Sequence, residues 1–213
     1  MLYIKHNLGL GDHIICNGIV RAYANLGSVG LFCKERNRES VEFMYRDIDV
    51  EIIDSEVKGN FGPDYLDLTC IGKAPDGFHG AFNDVFYSMA GLDKSKRREL
   101  FYVERDADLE DRIFDSYSVK PYKYVFVHDD TGIGIAIDGV RPRIGLTDNI
   151  FGYCKLIEMA KEVHCITSSF LWLTDAMFPD RIGLYHHTAR ELLLGWDNEF
   201  TTANVSEGWV KLS

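Results

Sequence analysis

Apolar residues fall into short runs separated by stretches with helical spacing, and this alternation predicts strands and helices in turn. In the first half, strands are predicted at residues 2–4, 29–33, 50–53 and 65–68, and helices at 13–26, 36–46 and 81–90. Ile15, Ile19, Ala22 and Leu26 recur at helical spacing and are expected to form the buried face of the first helix. Strands that alternate with helices indicate βαβ units and a parallel sheet.

The same rhythm continues in the second half. Helices are predicted at 106–117, after a Thr147-Asp148 cap, and from Ser168-Ser169 to Met177, with strands at 124–128, 163–166 and 182–185. Residues 132–147 are expected to form a loop or a hairpin, and the tail from 188 to 213 to be irregular or helical. The polar run 94–99 is expected to be a solvated connection. We therefore predict two domains, residues 1–100 and 101–213.

The glycine-containing turn after the first strand is the first candidate for chemistry. Gly9 and Gly11 permit close backbone approach to a ligand, and Asp12 is the one acid at the start of the following helix. Asp12 either caps that helix or faces a cleft at the carboxyl end of the strand, where open α/β sheets bind ligands. The dinucleotide fingerprint fails because Ile14 stands where the third glycine is needed, which disfavours a dinucleotide reductase.

Composition narrows the class of protein further. The chain has 213 residues, 46% of them hydrophobic, and a net charge of −10, which argues against an electrostatic nucleic-acid interface. The five cysteines lack any C-x-x-C pair and are expected to be buried free thiols. No signal peptide and no apolar run long enough for a membrane helix is visible, so we expect a soluble cytoplasmic protein.

Residues 1–24 resemble the start of GT-B glycosyltransferases of the ADP-heptose:lipopolysaccharide heptosyltransferase type, which open with a strand, a small-residue turn, Gly-Asp and a helix. A second stretch, residues 163–177, is similar to the strand, Asp-Thr-Gly and helix of that family's donor-nucleotide domain. Here Thr167 stands for the family's Asp, Ser169 for its Gly and Trp172 for its His.

The resemblance implies an α/β fold of two small Rossmann-like lobes with parallel sheets, arranged as a compact GT-B fold with a cleft between them. The first lobe would bind a glycan or lipid-linked acceptor, and the second a nucleotide-sugar donor. The implied activity is sugar transfer without a metal or other cofactor, with Asp12 as the general base. A non-catalytic nucleotide or nucleotide-sugar binding protein is the alternative, because of Thr167 and Trp172.

The remaining candidate residues are assigned to substrate binding. They comprise the opening stretch, the donor-side strand end and helix start, and two loop arginines: Gly9, Gly11, His13, Asn17, His128, Arg141, Arg143, Thr167, Ser168, Ser169 and Phe170. A helix N-terminus offers amides and hydroxyls to a diphosphate, although Ser168 is also a good N-cap. The arginines either hold phosphate oxygens or are ordinary surface charges. A metal at Asp129-Asp130 is disfavoured, and His186-His187 makes a poor chelating pair because adjacent strand residues face opposite sides.

Overall fold

The computed structural model describes residues 1–59, 61–70, 80–129, 134–143, 145–189 and 203–212. It divides the chain into two compact units. The first comprises Met1–Glu104 with Asn198–Asn204, and the second Arg105–Asp197 with Val205–Ser213. Each unit contains a four-stranded sheet in which every pair of neighbouring strands is parallel. This confirms the prediction of an α/β protein with two parallel sheets.

The first unit is built on a sheet with the strand order β3-β2-β1-β4. Its strands are β1 (Leu2–Lys5), β2 (Val29–Cys33), β3 (Val50–Asp54) and β4 (Tyr65–Asp67). Every residue of β2 is buried, as expected for a parallel strand covered on both faces. The chain moves outward from β1 to β3 and then returns to the other side of β1. The border between β1 and β4 is therefore the switch point of this sheet, the place where open α/β sheets bind ligands.

The described residues of the first unit form five α-helices and a 3-10 helix at Glu35–Asn37. The α-helices are α1 (Leu10–Ile15), α2 (Asn17–Ala24), α3 (Arg38–Met44), α4 (Phe82–Met89) and α5 (Lys96–Glu99). The single helix predicted from His13 to Leu26 is wrong in its bounds. The chain bends at Cys16, where the Tyr87 hydroxyl donates to the Ile15 carbonyl at 2.8 Å. Because α2 ends at Ala24, Leu26 lies outside it and is 83% exposed instead of buried.

The second unit has the sheet order β5-β6-β7-β8. Its strands are β5 (Val125–His128), β6 (Glu162–Ile166), β7 (Leu184–His187) and β8 (Trp209–Leu212), and its helices are α6 (Ala107–Ser116), α7 (Cys154–Glu158) and α8 (Ser169–Met177). Val140 forms an isolated parallel bridge with Phe126, on the edge of β5 away from β6. Val125 to Val127 of β5 therefore have neighbouring chain on both sides.

Three predictions for the second unit are wrong. The tail is not only irregular or helical, because its residues 209–212 form β8 along the edge of β7. The last predicted strand begins two residues later than expected, since Gly183 takes φ +73° and Ile182 is 87% exposed. Asn149, rather than Thr147-Asp148, caps the next helical segment, accepting the Phe151 N–H at 3.1 Å.

All five cysteines are buried and free, which confirms the prediction of buried free thiols. The polar run 94–99 contains the short helix α5 and is not only a connection. Residues 60, 71–79, 130–133, 144, 190–202 and 213 lie outside the described part. Within the loop or hairpin expected at 132–147, the described residues are irregular apart from the bridge at Val140. No helix among the described residues has the length and apolar character needed to span a bilayer.

Gly18 provides a test of the packing between α2 and α5. Replacing a glycine in a helix interior with alanine normally stabilises the helix by about 1 kcal/mol. A Cβ at position 18, however, would lie 2.4 Å from the Lys96 backbone carbonyl oxygen. We expect Gly18→Ala to lower the free energy of unfolding by about 1–3 kcal/mol through overpacking. Urea unfolding measures the change.

Gly27→Ala is the matched control, because a Cβ there meets nothing within 4 Å. It should change the free energy of unfolding little. A Gly18→Ala protein as stable as the control would show that α2 and α5 do not pack as closely as the structure has them.

Candidate functional site

The turn after β1 contains a residue other than glycine with a left-handed backbone. Leu8 has φ +63°, a left-handed conformation that is uncommon for a residue other than glycine. Its N–H donates to His6 Nδ1 at 3.1 Å, and its carbonyl accepts from Asn37 Nδ2 at 3.1 Å. Strained residues of this kind cluster at functional sites. The turn leads directly into α1.

Asp12 lies in the first turn of α1, three residues after the N-cap Gly9. Its carboxylate accepts the Gly9 N–H at 3.0 Å, which is the acidic half of a capping box. Asp12 is therefore not the N-cap residue that one interpretation of the sequence proposed. Its surface exposure is intermediate, but burial raises its pKa to about 6 against the lowering effects of the Gly9 N–H and the Lys34 ammonium. The sequence predicts an acid at this position, but the raised pKa depends on burial and is visible only in the structure.

Gly9 allows this carboxylate to lie close to the backbone. A Cβ at position 9 would be 2.6 Å from Asp12 Oδ2, so any other residue must push the carboxylate away. The φ of Gly9 is −76°, which every residue adopts easily. Space, rather than backbone freedom, is therefore the reason for glycine at this position. Gly11 lies within the first turn of α1.

The ends of β1 and β4 are tied together beside this acid. Asn7 follows β1, and its Oδ1 accepts the Cys70 N–H at 2.9 Å. The Asn7 amide also points to Cys70 Sγ at 3.7 Å. Burial raises the pKa of the Cys70 thiol to about 11, and the charge of Asp12 adds to that rise. Asp12 lies in the first turn of α1, the helix that follows β1, so it belongs to the strand end at the switch point of the first sheet.

Two buried histidines, one after β1 and one in α1, form a hydrogen-bonded pair. His6 Nδ1 accepts the Leu8 N–H, so a neutral His6 carries its proton on Nε2 and donates it to His13 Nδ1 at 3.1 Å. His13 must then carry its own proton on Nε2, a buried atom without a hydrogen-bond partner among the described residues. Burial lowers the pKa of His6 to about 3 and that of His13 well below its usual range.

His13 and Asn17, both assigned to substrate binding from the sequence, are fully buried. His13 makes the contact with His6, and Asn17 bonds to the backbone of Tyr102 through both halves of its amide, at 3.1 and 3.3 Å. Arg21 donates to the same Tyr102 carbonyl and forms an ion pair with Asp47 at 2.8 Å. In the structure Asn17 therefore holds the chain that follows α5.

In the second unit, three of the predicted residues come together at the end of β5. Ser168 Oγ lies 2.9 Å from His128 Nδ1, and the His128 ring lies 4.4 Å from the Phe170 ring. Ser168 is the N-cap of α8 but makes no side-chain capping bond. Its hydroxyl bonds to the histidine instead, so the capping interpretation of that hydroxyl is wrong. Ser169 is the first residue of α8.

Thr167 stands at the end of β6, and its hydroxyl lies 2.8 Å from His186 Nε2. His186 is buried, and burial lowers its pKa to about 4. His187 faces the other side of β7 and pairs with His164 at 2.9 Å, as expected for adjacent strand residues. Trp172, at the family's histidine position, is only 5% exposed and belongs to the core.

The two arginines are engaged with the protein itself. Arg141 forms an ion pair with Asp129 at 3.1 Å and donates to the carbonyls of Gly139, Ile135 and Ile137. Burial alone would raise the pKa of Asp129. Arg141 and the Ile135 N–H together lower that pKa by more than burial raises it, so the net shift is downward. Arg141 therefore organises its own loop, and its guanidinium is not an uncommitted phosphate ligand.

Arg143 lies over the Tyr117 ring at 4.1 Å and donates to the Ser116 carbonyl.

No three or more His, Cys, Asp or Glu side chains in the described ranges come together in a way that could hold a metal ion. Asp130, one member of the acidic pair considered from the sequence, lies outside those ranges.

Sequence reasoning missed His6, Asn7 and His186 as members of these clusters. The burial of His6 could have been predicted, because strand alternation puts it on the same side as the fully buried Ile4. The contact of Asn7 with Cys70 joins positions 63 residues apart, and local pattern carries no signal for it.

The histidine chain predicts a specific response to acid. Between pH 6.5 and about 3, His6 and His13 become protonated in the unfolded chain but stay neutral in the folded protein. The free energy of unfolding therefore falls as pH falls, by up to about 1.4 kcal/mol per pH unit for each histidine. Asp12 acts in the opposite direction between pH 6 and 3.8, because its folded form is protonated first. In nitrogen-detected NMR, both rings should remain neutral Nε2–H tautomers from pH 8 to 5.

The same chain unfolded in urea is the reference, and its histidines should titrate near pH 6.5. A ring of His6 or His13 that titrates near this value in the folded protein would contradict the buried hydrogen-bonded pair.

Comparison with known proteins adds no further information about either strand end. No protein-family model matches this chain, and no curated protein or solved structure matches it. The likeness to GT-B glycosyltransferases therefore depends on the residues quoted for it and stays a prediction.

Proposed function

We propose that this protein transfers a sugar from a nucleotide-sugar donor to a hydroxyl of a glycan or lipid-linked acceptor. The observation that carries the proposal is Asp12: an acid near the switch point of a parallel sheet, held by the Gly9 N–H, with a pKa raised to about 6. A general base works best when its pKa lies near the operating pH. At neutral pH the carboxylate form predominates and is still basic enough to accept a proton.

The proposed reaction uses this carboxylate in one step. The acceptor hydroxyl gives its proton to Asp12 while its oxygen forms a bond to the anomeric carbon. The bond between that carbon and the diphosphate oxygen breaks, and the nucleoside diphosphate leaves with the electron pair. A positioned base contributes roughly 10²–10⁴-fold to such a step. The histidine chain beneath the turn adds no charge, because burial keeps His6 and His13 neutral.

The second unit supplies the groups proposed for the diphosphate. Helix α8 has nine residues, and its first amides and dipole favour an anion at Ser168 and Ser169. The Ser168 hydroxyl and the His128 ring are already paired at 2.9 Å. Phosphate contact by Arg141 is not part of the proposal, because that side chain holds Asp129. A GT-B-like arrangement of the two units, with the acceptor in the first and the donor in the second, is the finer part of this proposal.

A non-catalytic nucleotide or nucleotide-sugar binding protein is the second candidate. Thr167 favours this candidate, because it stands where the family has an acid on the donor side and its hydroxyl bonds to His186. The family's histidine position is also different, since Trp172 is buried in the core. Turnover of a sugar donor, rather than nucleotide binding, distinguishes the two candidates.

Asp12→Asn tests the proposed base. Asparagine keeps the shape and an oxygen that can accept the Gly9 N–H, so the fold should be retained. It cannot accept the hydroxyl proton, and sugar transfer should fall by roughly 10²-fold or more. Donor affinity should stay near that of the unmodified protein, because the donor groups lie in the second unit. In the unmodified enzyme kcat/KM should rise with pH through about 6 and then level off.

Asp108→Asn is the matched control, an exposed acid in the first turn of α6. It should transfer sugar at the unmodified rate. An Asp12→Asn protein that folds, binds donor and transfers sugar as fast as this control would remove Asp12 from the mechanism and leave the binding protein as the better candidate.

Ser169→Glu tests the donor end. The substitution places like charge and extra volume where the diphosphate is proposed, so binding of nucleoside diphosphates should be lost. Ser169→Ala keeps the backbone amides and should retain most of the affinity. Thermal shift with a panel of nucleotides measures both, since a ligand that binds only the folded state raises the melting temperature. If nucleoside diphosphates raise the melting temperature of the Ser169→Glu and Ser169→Ala proteins by the same amount, phosphate does not bind at α8.

A further inference from the structure

One face of the first sheet carries a cluster of aromatic rings that the proposed reaction does not use. Strand alternation places Tyr3, Phe32 and Tyr65 on the face opposite to the buried Ile4. Phe61, from the segment between β3 and β4, covers them. Its ring centroid lies 4.8 Å from that of Tyr3, 5.0 Å from that of Phe32 and 5.8 Å from that of Tyr65, with the Tyr65 ring nearly parallel to it.

Gly30 makes room for this arrangement. It is the register partner of Tyr3 on the neighbouring strand. A Cβ at position 30 would lie 3.0 Å from Tyr3 Cδ1 and 2.7 Å from Ile53 Cδ1, so these side chains would have to shift. The missing side chain at position 30 leaves room for the Tyr3 ring beside β2. The aromatic surface is thus built into the strand packing.

A pocket of about 400 Å³ opens beside these rings. Phe61 and Tyr65 line it together with Lys5 and Lys58, and the Gly59 backbone contributes to its wall. Small-molecule sites in proteins usually measure about 300–1,000 Å³ and combine apolar or aromatic walls with a few polar groups. The size and the lining both fit that description.

The polar groups of the pocket are cationic. The chain as a whole has 33 acidic and 23 basic residues, yet among the described residues two lysines and no acid line this pocket. Lys5 is half-buried, with its ammonium 5.9 Å from the centroid of the Phe32 ring. Neither Lys5 nor Lys58 forms an ion pair with a carboxylate of the described ranges. Asp67 neighbours Lys5 in the strand register, but its carboxylate accepts the Thr69 N–H at 2.9 Å.

We propose that this pocket binds a small ligand that joins a flat aromatic ring to an anionic group. The ring would stack against Phe61 and Tyr65, since aromatic pairs prefer offset stacked or edge-to-face contact. The anion would pair with the Lys5 ammonium, where a partly buried setting strengthens a charge-assisted hydrogen bond. This site shares no residue with the Asp12 or Ser168 clusters, and it is independent of the proposed transferase activity.

Two sources supply that chemistry, a free aryl carboxylate and a nucleoside monophosphate. The full chain is titrated with 2-naphthoate and with AMP and UMP, by calorimetry and by ligand-observed NMR. Two matched compounds separate the parts of the recognition: 2-naphthylmethanol keeps the ring without the charge, and cyclohexanecarboxylate keeps the charge without the flat ring. We expect each to bind about tenfold or more weaker than 2-naphthoate. Tighter binding of a nucleotide than of naphthoate would identify the nucleotide as the source, and the reverse would identify the aryl acid.

Variants connect the binding to the pocket. Lys5→Gln and Phe61→Leu change partly exposed side chains and should each weaken the better ligand about tenfold, whereas the control Lys120→Gln, an exposed lysine of the second unit, should not. Affinity should also fall as salt is raised. Ser169→Glu should leave this binding unchanged, which separates the pocket from the donor site proposed at α8. Absence of binding by naphthoate and by both nucleotides, or equal affinity of the Lys5→Gln and unmodified proteins, would overturn the proposal.

Discussion

The left-handed backbone at Leu8 is the constraint on which the arrangement of the first unit's strand end depends. A left-handed conformation costs a residue other than glycine about 1–2 kcal/mol, so neighbouring groups have to hold it. His6 accepts the Leu8 N–H and Asn37 donates to the Leu8 carbonyl. With both backbone groups bonded, the chain leaves the sheet sharply and begins α1 only two residues later. Asp12 therefore falls in the first turn of that helix, next to the Gly9 N–H.

The His6–His13 pair extends this constraint to proton chemistry. The Leu8 N–H fixes the tautomer of His6, and His6 in turn fixes that of His13. Both rings are neutral because burial disfavours their charged forms. The pKa of Asp12 is raised by its own burial, and the Gly9 N–H and the Lys34 ammonium lower it by less. The neutral pair adds no charge to the strand end.

Sequence periodicity predicted much of the fold, because parallel strands buried on both faces have distinctive apolar runs and short helices show their buried spacing. It could not place Asp12 at the third position of α1, since a left-handed Leu8 has no sequence signature. It also missed β8, because Trp209–Leu212 becomes a strand only through pairing with the distant edge of β7. At the second strand end, the Ser168 hydroxyl looked like a cap in sequence, but His128 on the neighbouring strand provides a better partner.

The two strand ends offer different chemistry, and under the proposed function this difference has a physical reason. A carboxylate accepts protons, so an acid with a raised pKa suits the end of β1, where a hydroxyl is to be activated. A carboxylate close to a diphosphate would instead be repelled by it. The ends of β5 and β6 carry hydroxyl groups paired with imidazole rings, at Ser168 with His128 and at Thr167 with His186, and the Asp129 carboxylate that follows β5 is paired with Arg141. Hydroxyls can donate to phosphate oxygens without that repulsion, so Thr167 in place of an acid is compatible with the anion binding proposed at α8.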